Sequence, residues 1–154
     1  MNSCDILQTL QKYFGYASFR QGQKEITDSI LSGRDTLGVM PTGAGKSICY
    51  QVPALLREGI SIVISPLISL MQDQVASLVQ SGIKAAYINS SLTESQIRTV
   101  IRNAENGMYK LIYAAPERLE SGAFLSFAEN ADISMHFAVG SGFPPQLHEY
   151  PEVH

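Results

Sequence analysis

A seven-residue segment, PTGAGKS at residues 41–47, constrains the fold of this chain more than any other feature. Its three successive small residues let the backbone curl so that several N–H groups converge on one point. A lysine and a hydroxyl residue follow, and a helix that begins there adds the partial positive charge of its first turn. The pattern is that of a P-loop, which predicts a strand, a phosphate-binding turn and a helix in this order.

The residues of the loop have separate expected roles toward a nucleoside triphosphate. Backbone N–H groups are expected to surround the phosphates, Lys46 to reach the β- and γ-phosphates, and the Ser47 hydroxyl to ligate Mg²⁺. Met40 stands where the strict pattern begins with glycine. The alternative is a glycine-rich turn with a solvated lysine. The predicted phosphate-binding residues are Thr42, Gly43, Ala44, Gly45, Lys46 and Ser47, of which the last two are also the predicted catalytic residues.

Apolar segments of strand length alternate with amphipathic segments of helical length along the chain. This alternation predicts an α/β fold, in which helices flank a parallel sheet. Each predicted strand is short and apolar, and each ends at a turn or proline signal. The predicted strands are residues 36–40, 60–65, 85–89 and 111–115, and the helix after the P-loop is predicted over Lys46–Leu56.

Two further segments have apolar residues at helical spacing, and we expect both stripes to face the core. Thr93 and Gln96 have the spacing of a capping box, which predicts that the second of these helices begins there. The apolar positions are Leu67, Leu70, Met71, Val75 and Leu78 in the first helix and Ile97, Val100 and Ile101 in the second.

Composition excludes several classes of protein. With 154 residues, 45% of them hydrophobic, the chain suits one domain with a core of its own. Its two cysteines cannot form a disulfide framework, and its longest apolar run, residues 60–71, is too short to span a membrane. All 11 lysines and arginines lie at or before Arg118, and the net charge of −3 neither favours nor excludes a nucleic-acid partner. We expect a soluble, cytoplasmic protein.

Aromatic and polar residues precede the P-loop. Gln23 carries an amide, which offers a donor and an acceptor together and suits the N6 and N7 edge of adenine. Tyr16 and Arg20 offer flat faces on which a base can stack. The alternative is that Phe14 and Phe19 belong to the core and Gln23 is an exposed helix residue.

Two segments follow predicted strands at the edge of the sheet where open α/β folds bind ligands. Their hydroxyl, amide and backbone groups suit sugar-phosphate contacts, which hold a nucleic-acid strand without sequence preference. The alternative for each is a strand that ends at a proline and binds nothing. The candidate nucleic-acid residues are Ser65, Pro66, Leu67, Ser69 and Gln72 in the first segment and Ala115, Pro116, Glu117 and Arg118 in the second.

Taken in order, these segments resemble the first motor domain of RecQ-type DNA helicases, members of the DExH-box group. The signatures FGYxxFRxGQxEI, MPTGxGKS, CYQxPAL, SPLxSLMxDQV and YxxPERL begin here at Phe14, Met40, Cys49, Ser65 and Tyr113. The likeness covers about residues 5–135. It implies a RecA-like fold, ATP and Mg²⁺ as cofactors, and movement 3′ to 5′ along single-stranded DNA. By motif position it assigns the Tyr16, Arg20 and Gln23 set to adenine and the two strand-end segments to DNA.

The chain departs from that family after Met135. Where the family continues with a short strand ending in DEAH, this chain reads HFAVGSG at residues 136–142, so both carboxylates are absent. In the family the first belongs to the Mg²⁺ shell, and the second orients or deprotonates the attacking water, a role worth about 10²- to 10⁴-fold in rate. We therefore expect hydrolysis to be close to lost.

A shifted reading frame is our hypothesis for residues 136–154. One permitted set of codons for residues 136–151, read one base later, encodes ISQWGQDFRPSYMNI, which looks like the RecQ segment after DEAHC. A small deletion that removed the DEAH codons and shifted the frame would leave an aberrant, poorly ordered tail. The coding DNA across residues 135–151 tests this hypothesis. The tail holds His136, His148 and His154, which we expect to be solvated and not to bind metal.

The sequence thus predicts a partial motor domain over residues 1–135 and a tail over residues 136–154. One functional class is an enzyme, a helicase chain whose second motor domain, with its arginine finger, is supplied elsewhere. The other is a non-catalytic remnant that holds nucleotide or DNA without turnover. A small P-loop kinase is a third reading, but it leaves the segments around Gln23, Ser65 and Tyr113 unexplained.

Overall fold

The computed structural model describes residues 2–41 and 45–140, in which three helices are followed by strands that alternate with helices. A 3₁₀ turn, Pro116–Arg118, follows the third strand. The helices are α1 (Ser3–Phe14), α2 (Gln23–Leu31), α3 (Lys46–Leu56), α4 (Ile68–Gln80), α5 (Glu94–Glu105) and α6 (Gly122–Asn130). The strands are β1 (Ile60–Ile64), β2 (Ala85–Ile88), β3 (Leu111–Ala114) and β4 (Ile133–Ala138).

The four strands form one parallel sheet in the order β2-β3-β1-β4. The register aligns the last residues of the strands, because Ile64 of β1 pairs with Ala114 of β3 and with Ala138 of β4. Ala114 in turn pairs with Ile88 of β2. The loops that follow all four strands therefore leave the sheet at one edge, and the predicted α/β class with a parallel sheet is confirmed.

Each face of the sheet is covered by its own pair of helices. Leu111 and Tyr113 of β3 lie in a buried cluster with side chains of α3 and α4. Ile112 and Ala114, which alternate with them, lie in a second cluster with side chains of α5 and α6. This period of two places both faces of β3 in the core, as expected of a parallel strand with helices on either side.

Helix α1 supports α3 from outside the sheet. Ile6 and Leu10 of α1 form a third buried cluster with Ile48 and Val52 of α3. The helix that begins at the P-loop is thus packed on one side by α1 and on another by the sheet, which fixes the direction of its first turn.

Most of the predicted elements are confirmed. Strands β1, β2 and β3 each end one residue before the predicted end, and α3 has the predicted bounds. The capping box is present, since Thr93 Oγ1 accepts from Gln96 N at 3.2 Å while Gln96 Oε1 accepts from Thr93 N at 2.8 Å. Within the described ranges no helix is long and apolar enough to cross a membrane.

Two residues predicted for the core of α4 are exposed instead. Leu67 is 48% exposed and Leu70 is 37% exposed, whereas Met71, Val75 and Leu78 are buried. The buried set keeps to a narrow stripe that faces the sheet. Leu67 precedes the helix and Leu70 lies outside that stripe, so both point away from the sheet.

The strand predicted over residues 36–40 is wrong. The segment forms neither a helix nor a strand and pairs with no strand of the sheet, and Leu37 is 61% exposed and Val39 83% exposed. It lies against α2, where the hydroxyls of Thr36 and Ser29 share a hydrogen bond of 2.8 Å. Apolar residues at every second position show that a segment can form a β-strand, but they do not determine which strand it pairs with. Here the segment contacts α2 and, through Met40 and Cys49, α3, and it pairs with no strand.

The first residues of the predicted tail continue the sheet. Strand β4 runs through Ala138, and Val139 N donates to Ile64 O at 2.9 Å. Phe137 packs against Tyr50 of α3, with ring centroids 5.4 Å apart. Residues 136–138 are therefore part of the fold, while residues 141–154, where the rest of the predicted tail falls, lie outside the described residues.

Replacement of Phe127 by alanine is expected to destabilise the fold by about 3–5 kcal/mol, because it leaves a cavity under the sheet. The ring is fully buried, and its centroid lies 5.9 Å from that of Phe124. Urea unfolding followed by circular dichroism measures the loss. Leu125→Ala on the same helix is the control, since Leu125 is 50% exposed and its loss is expected to cost far less. Equal losses for the two variants would contradict the assigned core.

Candidate functional site

The residue just before α3 is a glycine in a backbone conformation that other residues rarely adopt. Gly45 is the N-cap residue of α3 and has φ = 76°, in the left-handed region. Lys46 follows and is exposed, and Ser47 is half-buried. The first turn carries no acidic residue, so nothing there cancels the positive end of the helix dipole. Of the predicted loop, Thr42, Gly43 and Ala44 lie outside the described residues.

Gln23 joins the upstream motif to the start of α3. Its side chain is 4% exposed; its Oε1 accepts from Arg20 N at 2.8 Å, and its Nε2 donates to Gly45 O at 3.0 Å. A Cβ at Gly45 would collide with the Gln23 amide nitrogen. The amide thus positions Gly45, a role that the sequence did not predict, and the alternative of an exposed Gln23 is wrong.

Tyr16 and Arg20 lie together beside this link. The guanidinium carbon of Arg20 is 6.0 Å from the centroid of the Tyr16 ring, a cation–π distance, and the ring is 48% exposed. Both predicted stacking groups are therefore placed next to each other and are open to a planar ligand.

A cavity of ≈ 310 Å³ connects these groups to the start of α3. That volume is at the lower end of the range usual for small-molecule sites. Its lining includes groups of both the upstream motif and the start of α3, namely Tyr16, Arg20, Gln23, Gly45 and Ser47. It also includes uncharged groups able to form hydrogen bonds, namely Tyr13, Gln51, Gln74, Ser77 and Ser81.

The described residues offer Mg²⁺ one ligand at this place, the hydroxyl of Ser47. No group of three histidine, cysteine or acidic side chains in the described ranges could hold a metal ion. Mg²⁺ commonly keeps several waters and is held by few protein groups together with nucleotide phosphates. A single hydroxyl fits an ion that arrives with its nucleotide and does not fit a resident metal.

The two predicted nucleic-acid segments lie side by side at the carboxyl edge of the sheet. Ser65 N donates to Ala114 O at 3.1 Å, and Ala115 N donates to Ile88 O at 3.0 Å, so both loops start from paired backbone. The Ser65 hydroxyl accepts from Leu67 N at 3.3 Å, which makes it a turn-forming group. Ser65 and Ala115 are each 1% exposed, and a ligand would reach their loops before their side chains.

The remaining members of the two segments are more accessible. In the second, the 3₁₀ turn holds Arg118 half-buried, and its Nε has no hydrogen-bond partner among the described residues. Both loops therefore present polar groups at one edge. The exposed members of the two segments are Pro66, Leu67, Ser69, Gln72, Pro116 and Glu117.

The loop after β2 joins this surface, and the sequence did not predict it. Asn89 is fully buried, and its Oδ1 accepts from Ser91 N at 2.9 Å and from Ser91 Oγ at 2.5 Å. Gln72 Nε2 donates to the same Ser91 hydroxyl at 3.3 Å. The available signal was an asparagine at the end of the strand predicted over residues 85–89, with serine shortly after it, because Ser65 likewise ends the strand predicted over residues 60–65.

Cys49 of α3 is expected to react with iodoacetamide at least about ten times more slowly than Cys4. Cys49 is 4% exposed, and burial raises the pKa of its thiol, so little thiolate forms near neutral pH. Cys4 is exposed and serves as the internal control. Peptide mass spectrometry of a labelling time course measures both rates. Equal rates would mean that α3 is not packed as described.

Together, the parallel sheet and the helices on both of its faces define the chain as an α/β domain. A family model described as DEAD/DEAH box helicase matches residues 20–137. The chain belongs to the DEAD/DEAH box helicase family.

Similar proteins agree with this membership and with the resemblance to RecQ helicases. The chain is 50% identical over 127 residues to the ATP-dependent DNA helicase RecQ of Bacillus subtilis (strain 168), covering 82% of this chain and 22% of that protein. It is 47% identical over 128 residues to the RecQ of Pasteurella multocida (strain Pm70), covering 83% of this chain and 20% of that protein. The chain thus spans about a fifth of the length of these relatives.

A solved structure shares the fold. The crystal structure of the DUF1998 helicase MrfA bound to DNA and AMPPNP superposes with a TM-score of 0.71 at 20% identity, and the match covers 90% of this chain and 21% of that one. At this identity the likeness establishes the arrangement of helices and strands alone.

Proposed function

We propose that this chain is the nucleotide-binding part of a RecQ-like motor domain, which holds ATP with Mg²⁺ and single-stranded DNA but does not hydrolyse ATP. One observation carries the proposal. The Gln23 amide bonds to Gly45 O and thereby holds the Tyr16 and Arg20 pair beside the first turn of α3, around one cavity. Flat groups for a base and the positive start of a helix for phosphates then line the same cavity.

The proposed phosphate-binding site at the start of α3 is supported by charge and by backbone geometry. The backbone N–H groups of the first turn of α3 lie where an anion gains most from the helix dipole, and Lys46 is the exposed first residue of that helix. Gly45 lets the chain enter that turn without a side chain in the way. ATP and Mg²⁺ are also the cofactors that membership of this helicase family implies.

The proposed DNA-binding site is supported by the alignment of the strand ends at one edge of the sheet. The loops after β1, β2 and β3 share one edge, where hydroxyl and amide groups from Ser69, Gln72 and Ser91 lie near backbone N–H groups. Such groups suit phosphate and sugar contacts without sequence preference. The RecQ relatives are described as DNA helicases, and the proposal extends that substrate to this chain.

Calorimetric titration of the 154-residue chain with ATP and magnesium tests the nucleotide part, and we expect saturable binding. Fluorescence anisotropy of a labelled oligo-dT tests the DNA part, and we expect binding that weakens as salt is raised. No binding signal at about millimolar ATP, a concentration that detects even a weak site, would defeat the proposal.

A further inference from the structure

Four polar side chains form a hydrogen-bonded chain beneath the cavity and join three elements. Gln51 of α3 donates through Nε2 to Gln74 Oε1 of α4 at 2.8 Å and to the Tyr113 hydroxyl of β3 at 3.1 Å. The hydroxyls of Tyr113 and Tyr50 share a further bond of 2.9 Å. Both amide hydrogens of Gln51 are thus engaged, so its orientation is fixed by two different elements at once.

Core packing alone does not explain why these hydrogen-bonding side chains are buried here. Tyr50, Gln51 and Tyr113 are 8%, 4% and 1% exposed, and both rings lie within the apolar cluster on that face. A phenylalanine at either tyrosine would fill nearly the same space without a hydroxyl that needs a partner. Burial raises the pKa of Tyr50 well above its ordinary value and also raises that of Tyr113, so both phenols stay uncharged near neutral pH.

The hydrogen-bonded side chains lie next to both proposed binding regions. Gln51 and Gln74 line the same cavity as Gly45 and Ser47. Tyr113, to which Gln51 donates, precedes Ala114 and Ala115, the residues from which the second nucleic-acid segment leaves the sheet. A shift of α3 along its axis would lengthen the bonds from Gln51 and pull on α4 and β3 together.

We propose that Gln51 and Tyr113 are positioning residues, which couple occupation of the cavity at the start of α3 to binding of a nucleic-acid strand at the end of β3. The inference rests on the proposed function and adds the physical link between its two parts. Such coupling is reciprocal, because a strand that tightens nucleotide binding must itself be bound more tightly when nucleotide is present. The coupling requires the hydroxyl of Tyr113, because an aromatic ring without it cannot accept the hydrogen bond from Gln51.

The test compares two tyrosine variants that each lose one hydroxyl. Tyr113→Phe breaks the chain of groups, while Tyr109→Phe removes a hydroxyl that accepts from Asn103 Nδ2 at 3.2 Å, outside that chain. The affinity for a fluorescent ATP analogue with magnesium is measured with and without saturating oligo-dT. For wild type and Tyr109→Phe we expect DNA to change this affinity by at least about fivefold. For Tyr113→Phe we expect the ratio of the affinities with and without DNA to be near one. Its affinity without DNA is expected to stay within about twofold of wild type.

Gln74→Met, which removes only the acceptor on α4, is the second variant and is also expected to lower the ratio. It keeps the test decisive if Tyr113→Phe does not fold. Unchanged ratios in the folded variants, or equal losses in Tyr113→Phe and Tyr109→Phe, would overturn the inference. A wild type that binds both ligands without coupling would overturn it and leave the proposed function standing, whereas a wild type that binds no nucleotide would overturn both.

Discussion

Lys46→Ala is expected to weaken binding of ATP with magnesium by about ten- to a hundred-fold, the loss typical of one hydrogen bond to a charged group. The side chain is exposed at the first residue of α3, so its removal takes away an ammonium group without opening a cavity in the core. The positive end of the helix and the backbone N–H groups remain, which is why we expect weakened binding and not its complete absence.

Lys84→Ala is the matched control for this variant. It removes the same charge from an exposed lysine just before β2, at the opposite edge of the sheet from the strand-end loops. Calorimetric titration of both variants and wild type separates a local contact from a general effect of net charge. Similar affinity in all three proteins would show that Lys46 does not contact the phosphates, and thermal melting of each variant checks that the fold is intact.

The sequence predicted those parts of the fold that local patterns determine. Strands β1, β2 and β3 could be predicted because each is an apolar run that ends at a polar or proline signal, and α5 because Thr93 and Gln96 form a capping box. The segment at residues 36–40 could not be predicted, since its pattern is that of a strand while its contacts are with α2. Pairing is decided by partners distant in sequence, which a local pattern does not contain.

The sequence predicted which residues belong to the candidate site better than it predicted how those residues contact one another. Tyr16, Arg20 and Gln23 do lie beside the start of α3, as their order before the P-loop indicated. The sequence could not show that Gln23 bonds to Gly45, or that Gln51 bonds to a tyrosine 62 residues further along the chain. Both contacts depend on how α2 and α3 pack on the sheet, and spacing along the chain carries no such information.

ATP turnover by this chain is expected to stay at background, at least about 10²- to 10⁴-fold below that of an intact DEAD/DEAH box helicase. The reason lies at the end of β4. Residues 136–142 contain no carboxylate, and β4 brings Ala138 and Val139 beside Ile64, at the edge where the loops of β1 and β3 leave the sheet. The end of β4 therefore lacks the acid that the family resemblance assigns to orienting or deprotonating the attacking water. The other possible base of this segment, His136, pairs with Ile62 inside the sheet and not at this edge.

Phosphate release from the 154-residue chain, measured with oligo-dT present and compared with Lys46→Ala, decides the matter. Equal rates in the two proteins are expected, even at ATP concentrations that saturate the wild type in the titration above. Saturation without turnover separates a chain that binds but does not hydrolyse from one that does not bind at all. Turnover that Lys46→Ala abolishes would contradict the expectation, because His136 or a group outside residues 136–142 would then have to activate the water.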